Sequence, residues 1–199
     1  ALEAEVVAAG VEVVQAALVG DATAAIAAAG RVKVLAATRR HPLGRNDWGA
    51  RIEDEVAARF GSVRAWRRWY VGRPVIVGAN DDLNGVANGD VGVVVATDDG
   101  PMVAHASPGG VRLLPTSRLD QVSTWWAMTI HKSQGSEFPH AVVSLPSIES
   151  PVLTRELLYT AVTRAKDRVT VVASDAALRA AVERPVRRSS GLRDRLLAS

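Results

Sequence analysis

The 199-residue sequence contains no cysteine. This absence excludes a disulfide-stapled scaffold and any thiolate metal site, and we expect a reducing, cytoplasmic compartment and no bound metal. No run of about 18 apolar residues occurs, so we expect no membrane span. The N-terminus also lacks the basic and apolar segments of a signal peptide. Since residue 1 is Ala and not Met, we expect the chain to be part of a longer protein.

The sequence also lacks the motifs with which many α/β proteins bind nucleotide phosphates. It has no Gly-Lys pair, so the loop G-x-x-x-x-G-K-[ST] is absent, and no G-x-G-x-x-G turn follows a strand. Asp98 and Asp99 follow an apolar run and could be mistaken for Mg²⁺ ligands, but Gly100 after them indicates a hairpin turn. We therefore expect negligible ATPase activity from this chain alone.

Lysine is scarce, because only three of the 24 basic residues are Lys and the rest are Arg. The formal net charge is +3. From Arg179 to the C-terminus, six arginines stand against two acidic residues. This basic tail is compatible with contact to nucleic acid or an acidic partner, and equally with a solvated terminus.

Apolar periodicity predicts an α/β layer at the start of the chain. Residues 1–30 are typical of two helices, the second capped by Asp21 and ended by Gly30. Residues 31–37 predict a buried strand. Residues 47–60 predict a helix with Asp47 as its cap.

The pattern changes between residues 72 and 122, where short β runs alternate with turn pairs such as Asn88-Gly89. This spacing favours a small antiparallel barrel. After it, the α/β pattern returns. We expect strands at 124–130, 141–145 and 168–174, and helices at 154–165 and 175–183.

Two segments contain residues that could bind a ligand or take part in catalysis. Polar residues follow the predicted strand in MTIHKSQGSEF (128–138), where open α/β sheets bind ligands, and Gly135 would let backbone N–H groups approach a phosphate. His131 there could equally be a structural hydrogen-bonding residue. In ELLYTAVTRAKDRVTVV (156–172), Arg164 ends a helix. It could complement the helix dipole or serve as an arginine finger.

HKSQGSEF and LYTAVTRAKDR resemble motifs V and VI of superfamily 1 helicases. Residues 31–192 as a whole resemble the C-terminal part of the RecD family, the alpha subunit of exodeoxyribonuclease V. Pif1-like helicases share HKSQG, but the GRPV, NGD and TRELLYTAVTRA segments together are more similar to RecD. The other similar segments are ATRRHPLG (37–44), which resembles motif IV, and GRPVIV, NGDVG, PTSRL, TRELLYTAVTRAKDR and RRSSGL.

The resemblance implies an α/β fold. It would be the second RecA-like, P-loop-NTPase-type helicase domain with a parallel sheet, formed by residues 1–71 and 123–199. An SH3-like β-barrel, residues 72–122, would be inserted in it. ATP with Mg²⁺ would bind mainly to an upstream N-terminal RecA-like domain. The implied activity is 5′→3′ DNA unwinding in a helicase–nuclease for double-strand break repair, with single-stranded DNA, RecB and RecC as partners.

The resemblance also implies site residues. Arg39 and Arg164 match catalytic arginines that sense the γ-phosphate, although Arg40 is an alternative to Arg39. Gly135 and Glu137 match positions that approach the nucleotide. Thr129, His131 and Ser133 match positions that contact single-stranded DNA, Gln134 would couple the two sites, and Arg112 and Arg118 of the barrel are further candidates for DNA contact.

The remaining conspicuous side chains have simpler interpretations. We expect Lys132 to be solvated and Tyr159 to pack. Trp125 and Trp126 lie in a predicted buried strand, so at least one should be core, with base stacking as the alternative.

Two other functions stay open. The chain could be a stand-alone module that binds DNA or a partner without catalysis. It could also belong to a RecD-like or Pif1-like helicase that acts without RecB and RecC.

Overall fold

The computed structural model describes residues 2–61, 63, 67–107 and 109–186. The RRSSGL segment and four of the six arginines of the basic tail lie outside this range. The helices are α1 (Leu2–Leu18), α2 (Ala22–Arg31), α3 (Arg45–Arg59), α4 (Arg155–Val162) and α5 (Asp175–Glu183). The strands are β1 (Val32–Ala36), β2 (Pro74–Val77), β3 (Val91–Val95), β4 (Met102–Ser107), β5 (Gly110–Pro115), β6 (Val122–Thr124), β7 (Ala127–Thr129), β8 (Phe138–Ser144) and β9 (Ala165–Val172).

A four-stranded parallel sheet in the order β7-β1-β8-β9 confirms the predicted α/β class. β1 lies in its interior, and all of its residues except Val32 are buried because helices also cover the sheet. Val34 pairs with Ala127 on one side and with Val142 on the other. The carboxyl ends of β1 and β7 therefore lie side by side, and so do the amino ends of β8 and β9.

The helices cover this sheet. α2 and α3 contact it and both pack on α1, while α4 contacts β8 and β9 and packs on α5. Asp21 caps α2 as predicted, its Oδ1 accepting from the Ala24 N–H at 2.9 Å. Gly30 does not end α2, which continues through Arg31 directly into β1. Asp47 is not the cap of α3. Gly44 holds that position, and Asp47, inside the first turn, accepts from the Leu43 N–H at 3.0 Å.

Residues 74–124 form a five-stranded antiparallel sheet in the order β5-β4-β3-β2-β6. Because side chains alternate between the two faces of a strand, this sheet contributes to two cores. Val75 and Val77 pack with Val94 in a small core of its own, whereas Ile76 and Val93 pack into the main core.

The strand predicted over 124–130 is in fact two. β6 pairs antiparallel with β2, and β7 pairs parallel with β1, so the chain changes sheets between them. Trp125 and Trp126 occupy this crossing and are only 5% and 6% exposed. The stacking alternative is wrong for both, because neither ring is accessible to a base.

Hydrogen bonds fix the crossing. Trp126 Nε1 donates to the Tyr70 hydroxyl at 3.0 Å, and that hydroxyl donates to the Glu53 carboxylate of α3. Burial raises the pKa of both Tyr70 and Glu53. On β1, the fully buried Lys33 donates to the Trp125 carbonyl at 2.8 Å, and its pKa lies well below the usual range because burial removes water from the charged form.

Candidate functional site

The segment between β7 and β8, residues 130–137, begins with a short 3-10 turn over His131–Ser133. Ser133 is fully buried, and its hydroxyl donates to the Ile130 carbonyl at 2.7 Å. This hydroxyl stabilises the turn and is not presented at the surface, so its position does not fit the expected DNA contact. Thr129 is half-buried and its hydroxyl accepts from the Lys132 N–H at 3.3 Å.

His131 and Gln134 are exposed and open onto a cleft of about 440 Å³ between this segment and the start of α4. The lining of the cleft is chemically mixed, since it contains apolar side chains, hydroxyl groups and one carboxylate. The other lining residues are Ile130, Pro151, Val152, Thr154, Glu156, Leu157, Thr160 and Val186.

Arg164 joins the end of α4 to residues 130–137. Its Nη1 donates to the Ser136 carbonyl, its Nε to the Thr160 carbonyl and its Nη2 to the Thr163 hydroxyl, each at 3.2 Å. The Arg164 carbonyl in turn accepts from the Phe138 N–H at 2.8 Å. Because arginine has five N–H donors, this half-buried guanidinium keeps donor capacity while its position is fixed.

Gly135 and Glu137 flank Ser136, whose carbonyl accepts from Arg164. Gly135 is exposed at φ +86°, and no atom lies within 4 Å of where a Cβ would be. The Glu137 carboxylate is 3.9 Å from the Lys166 ammonium group. An exposed backbone at Gly135 and a guanidinium that bonds the neighbouring Ser136 carbonyl are groups that suit a bound nucleotide, so the residues present fit the ATP that the resemblance implies.

Arg39 lies elsewhere, beyond the carboxyl end of β1, where it is exposed. Two other cations are close enough to interact with it. The pKa of Arg45 is lowered mainly by burial and to a smaller extent by the charge of Arg39. The pKa of Lys132 is lowered mainly by burial, with smaller effects from the charges of Arg45 and Arg39. Arg39, Arg45 and Lys132 therefore form a cationic cluster, and clustered like charges favour a bound anion.

The structure does not bring Arg39 and Arg164 together. β8 has seven residues and is about 20 Å long. Arg39 follows the carboxyl end of a strand parallel to it, and Arg164 lies at its amino end. Arg40 is also exposed beside Arg39, so the two remain alternatives by position.

Sequence reasoning missed Arg45, did not connect Lys132 with it, and was wrong about the packing of Tyr159. Arg45 begins α3 immediately after the loop that follows β1. Because open α/β sheets bind ligands beyond the carboxyl ends of their strands, this position could have identified Arg45 as a candidate. Lys132 is exposed as expected but belongs to the cationic cluster. Tyr159, expected to pack, is 68% exposed, because α4 buries only Leu157 and Ala161 on its core side.

The two arginines of the antiparallel sheet differ. Arg112 donates to the carbonyls of Asn84 at 3.0 Å and Gly85 at 3.4 Å, so its guanidinium is engaged in holding a loop. Arg118 is exposed and lines a second cleft together with acidic residues. Neither is among the charges that lower the pKa of Arg45 or Lys132.

Within the described ranges, no group of three or more His, Asp or Glu side chains could hold a metal ion. Among the same residues, every helix is too short or too polar to cross a membrane.

Comparison with known proteins agrees with the motifs. A family model described as the UvrD-like helicase C-terminal domain matches residues 124–172. The RecBCD enzyme subunit RecD of Mycolicibacterium smegmatis is 48% identical over 182 residues, which are 92% of this chain and 32% of that protein. The chain is RecD-like over most of its length.

A more distant relative is the ATP-dependent RecD2 DNA helicase of Deinococcus radiodurans. It is 32% identical to this RecD-like chain over 171 residues, 85% of the chain and 24% of that protein. The chain thus spans about a third or less of the curated relatives it matches. Among solved structures, the Pif1 helicase of Candida albicans superposes with a TM-score of 0.53 at 15% identity, covering 85% of this chain and 50% of that one. The α/β fold therefore resembles the Pif1- and RecD-like helicase domain.

Proposed function

We propose that this RecD-like chain is the C-terminal motor domain of an ATP-dependent DNA helicase that moves 5′→3′ on single-stranded DNA. The observation that carries the proposal is the 48% identity to RecD over 92% of the chain. The motif segments at 128–138 and 156–172 lie within this RecD-like sequence. Residues 1–71 and 123–199 would form the RecA-like domain, and residues 72–122 an inserted SH3-like barrel.

In this proposal, Arg164 senses the nucleotide. Mg·ATP, bound mainly by the N-terminal RecA-like domain of the same protein, would supply the phosphoryl group that is transferred to water. Arg164 would direct its remaining N–H donors at the γ-phosphate, where negative charge accumulates in the transition state. Gly135 and Glu137 would approach the nucleotide from the same side. Because Arg164 also bonds the Ser136 carbonyl, a change in its position would reach Gln134, which we propose as the coupling residue.

We assign the cationic cluster to the DNA backbone. A strand's length separates Arg39 from Arg164, so their positions do not support a second arginine on the same γ-phosphate. An anion bound by the cationic cluster would need another source. Thr129 and His131, the proposed contacts to single-stranded DNA, lie at the same carboxyl edge as Lys132. Phosphate contacts of this kind position a strand without reading its sequence.

The direct test of the proposal compares two purified proteins. We expect the full-length protein to unwind a duplex with a 5′ single-stranded tail when ATP is present. We expect the 199-residue chain alone to turn over no ATP, because it lacks a P-loop. Unwinding from a 3′ tail only, or ATP turnover by the 199-residue chain, would contradict it.

A second test concerns the cationic cluster. In the full-length protein, Arg39→Ala with Lys132→Ala should weaken binding to single-stranded DNA. The slope of log affinity against log salt should fall by about 1.4, since each phosphate contact contributes roughly 0.7 on single strands. Arg31→Ala with Arg59→Ala removes the same charge from exposed ion pairs and should leave the slope unchanged. Equal slopes for both double variants would remove the cluster from the DNA path.

The relatives bear on two versions of this function. Identity is 48% to a protein named as a RecBCD subunit and 32% to one named as a RecD2 DNA helicase. The higher identity supports our proposal of a helicase–nuclease subunit with RecB and RecC as partners. A binding module without catalysis remains the second candidate, and ATP-dependent unwinding by the full-length protein would exclude it.

A further inference from the structure

Strand β9 contains an irregularity just after Arg164. Phe138 of β8 pairs with Ala165, but His140 pairs with Arg168, so two steps along β8 are matched by three along β9. β9 therefore carries one extra residue between these pairs, which makes a β-bulge. A bulge bends its strand and re-aims the side chains beside it. The direction in which the chain presents Arg164 thus depends on how firmly the bulge is held.

A group of side chains holds the far end of this bulge. Nη2 of Arg168 donates to His140 Nδ1 at 2.9 Å, and the same nitrogen forms an ion pair with the Glu5 carboxylate of α1. His140 Nε2 lies 2.9 Å from the Thr170 hydroxyl, and His140 is only 4% exposed. We call Glu5, His140, Arg168 and Thr170 the Arg168 cluster. It ties β9 to β8 and to the first helix at one point.

The contact between Arg168 and His140 requires a neutral imidazole. Arginine is only a donor, so it can bond Nδ1 only while that nitrogen carries no proton. Burial lowers the pKa of His140, which keeps the ring neutral at neutral pH. The charged groups in contact with the ring, among the described residues, are Arg168 and Glu5, whose carboxylate is 3.3 Å from Nδ1. Its neighbour in β1 is the apolar Val32. A protonated ring would repel Arg168 and donate to Glu5 instead.

We propose that His140 and Arg168 are positioning residues for Arg164. This inference rests on the proposed function, in which Arg164 senses the γ-phosphate. While the imidazole is neutral, the Arg168 cluster fixes the bulge, and the bulge fixes the chain at Arg164, whose carbonyl accepts from the Phe138 N–H at 2.8 Å. The two residues act through the backbone of β9 and not through contact with the nucleotide.

The first test is a double-mutant cycle on the ATPase activity of the full-length protein. Arg168→Ala should lower kcat by about tenfold or more, because a misplacement of roughly 1 Å can cost about 10²-fold. KM for ATP should change little, since Arg164 acts on the transition state. In an Arg164→Ala background, Arg168→Ala should cause no further loss, because its effect passes through Arg164.

Arg51→Ala is the matched control for Arg168→Ala. The Arg51 side chain is 48% exposed against 55% for Arg168, and it too forms an ion pair with α1, at Glu3. This variant should keep the kcat of the natural protein, because Arg51 has no contact with β9.

The second test is the pH profile of kcat. Because the pKa of His140 is lowered, the Arg168 cluster is intact at neutral pH and is lost as the pH falls through that pKa, so kcat should fall on the acid side. His140→Asn places an amide oxygen close to the position of Nδ1, where it can accept from Arg168 but cannot titrate. It should keep a near-natural kcat at neutral pH and lack this acid loss. His140→Ala should be impaired at every pH.

The outcomes separate this inference from the proposed function. If Arg164→Ala is severely impaired but Arg168→Ala keeps the natural kcat, or if the two losses multiply in the double variant, the positioning role is wrong and the proposed function stands. If Arg164→Ala keeps the natural ATPase rate, the proposed role of Arg164 fails and the positioning role fails with it. An unchanged acid loss in His140→Asn would overturn the part assigned to His140.

Discussion

Arg164→Ala in the full-length protein should lower ATP hydrolysis and unwinding by about 10³-fold or more, as removal of an arginine finger does. Binding to single-stranded DNA should persist, because Arg164 lies a strand's length from the cationic cluster. Arg164→Lys should remain severely impaired. Lysine keeps the charge but cannot donate to the Thr160 and Ser136 carbonyls while reaching a phosphate.

The measurements are steady-state ATPase rates with saturating single-stranded DNA, unwinding rates, and DNA affinity. Arg59→Ala is the matched control, because it removes an arginine from an exposed i,i+4 pair with Glu55 that is worth little. An ATPase rate within tenfold of the natural protein for Arg164→Ala would leave this residue with only the structural role of tying α4 to Ser136.

Trp126→Ala should destabilise the 199-residue chain by about 3–5 kcal/mol, the usual cost of removing a buried aromatic side chain. The indole is 6% exposed at the point where the chain passes from the antiparallel to the parallel sheet. Its removal leaves a cavity and takes a hydrogen bond from Tyr70. Urea unfolding followed by circular dichroism would measure the change.

Trp126→Phe separates the contribution of ring packing from that of the hydrogen bond to Tyr70. It retains most of the ring and should cost less than Trp126→Ala, through the lost hydrogen bond to Tyr70 and a smaller void. Leu83→Ala, at a fully exposed site, should be close to neutral. A Trp126→Ala variant as stable as Leu83→Ala would mean that the ring is not part of the core.

The α/β layer could be predicted from local patterns. α5 has the bounds that its apolar periodicity indicates, and the caps at Asp21 and Ser174 use side chains suited to that role. The break between β6 and β7 could not be predicted. Residues 124–130 form one apolar run, and only pairing with β2 and β1, distant in sequence, separates them.

The candidate site was likewise predictable only in part. Gly135 and Arg164 were singled out from motifs whose residues are close in sequence, and their roles at the nucleotide stay predictions. The burial of Ser133 was not foreseen, because a hydroxyl in a motif does not reveal whether it faces solvent or the Ile130 carbonyl. Arg45 and Lys132 come together only through the adjacent ends of β1 and β7, which no local pattern specifies.

The antiparallel sheet could not be moved freely from one protein to another, because each of its two faces packs into a different core. Alternate residues of β2 and β3 belong to different cores. A one-residue deletion in either strand would therefore turn side chains that now fill one core towards the other. Transplanted into an unrelated host, the sheet would expose Ile76 and Val93 to water unless the host supplied counterparts of α1 and α2, which contact β3 here. A graft that retains its fold must therefore carry these two helices with it.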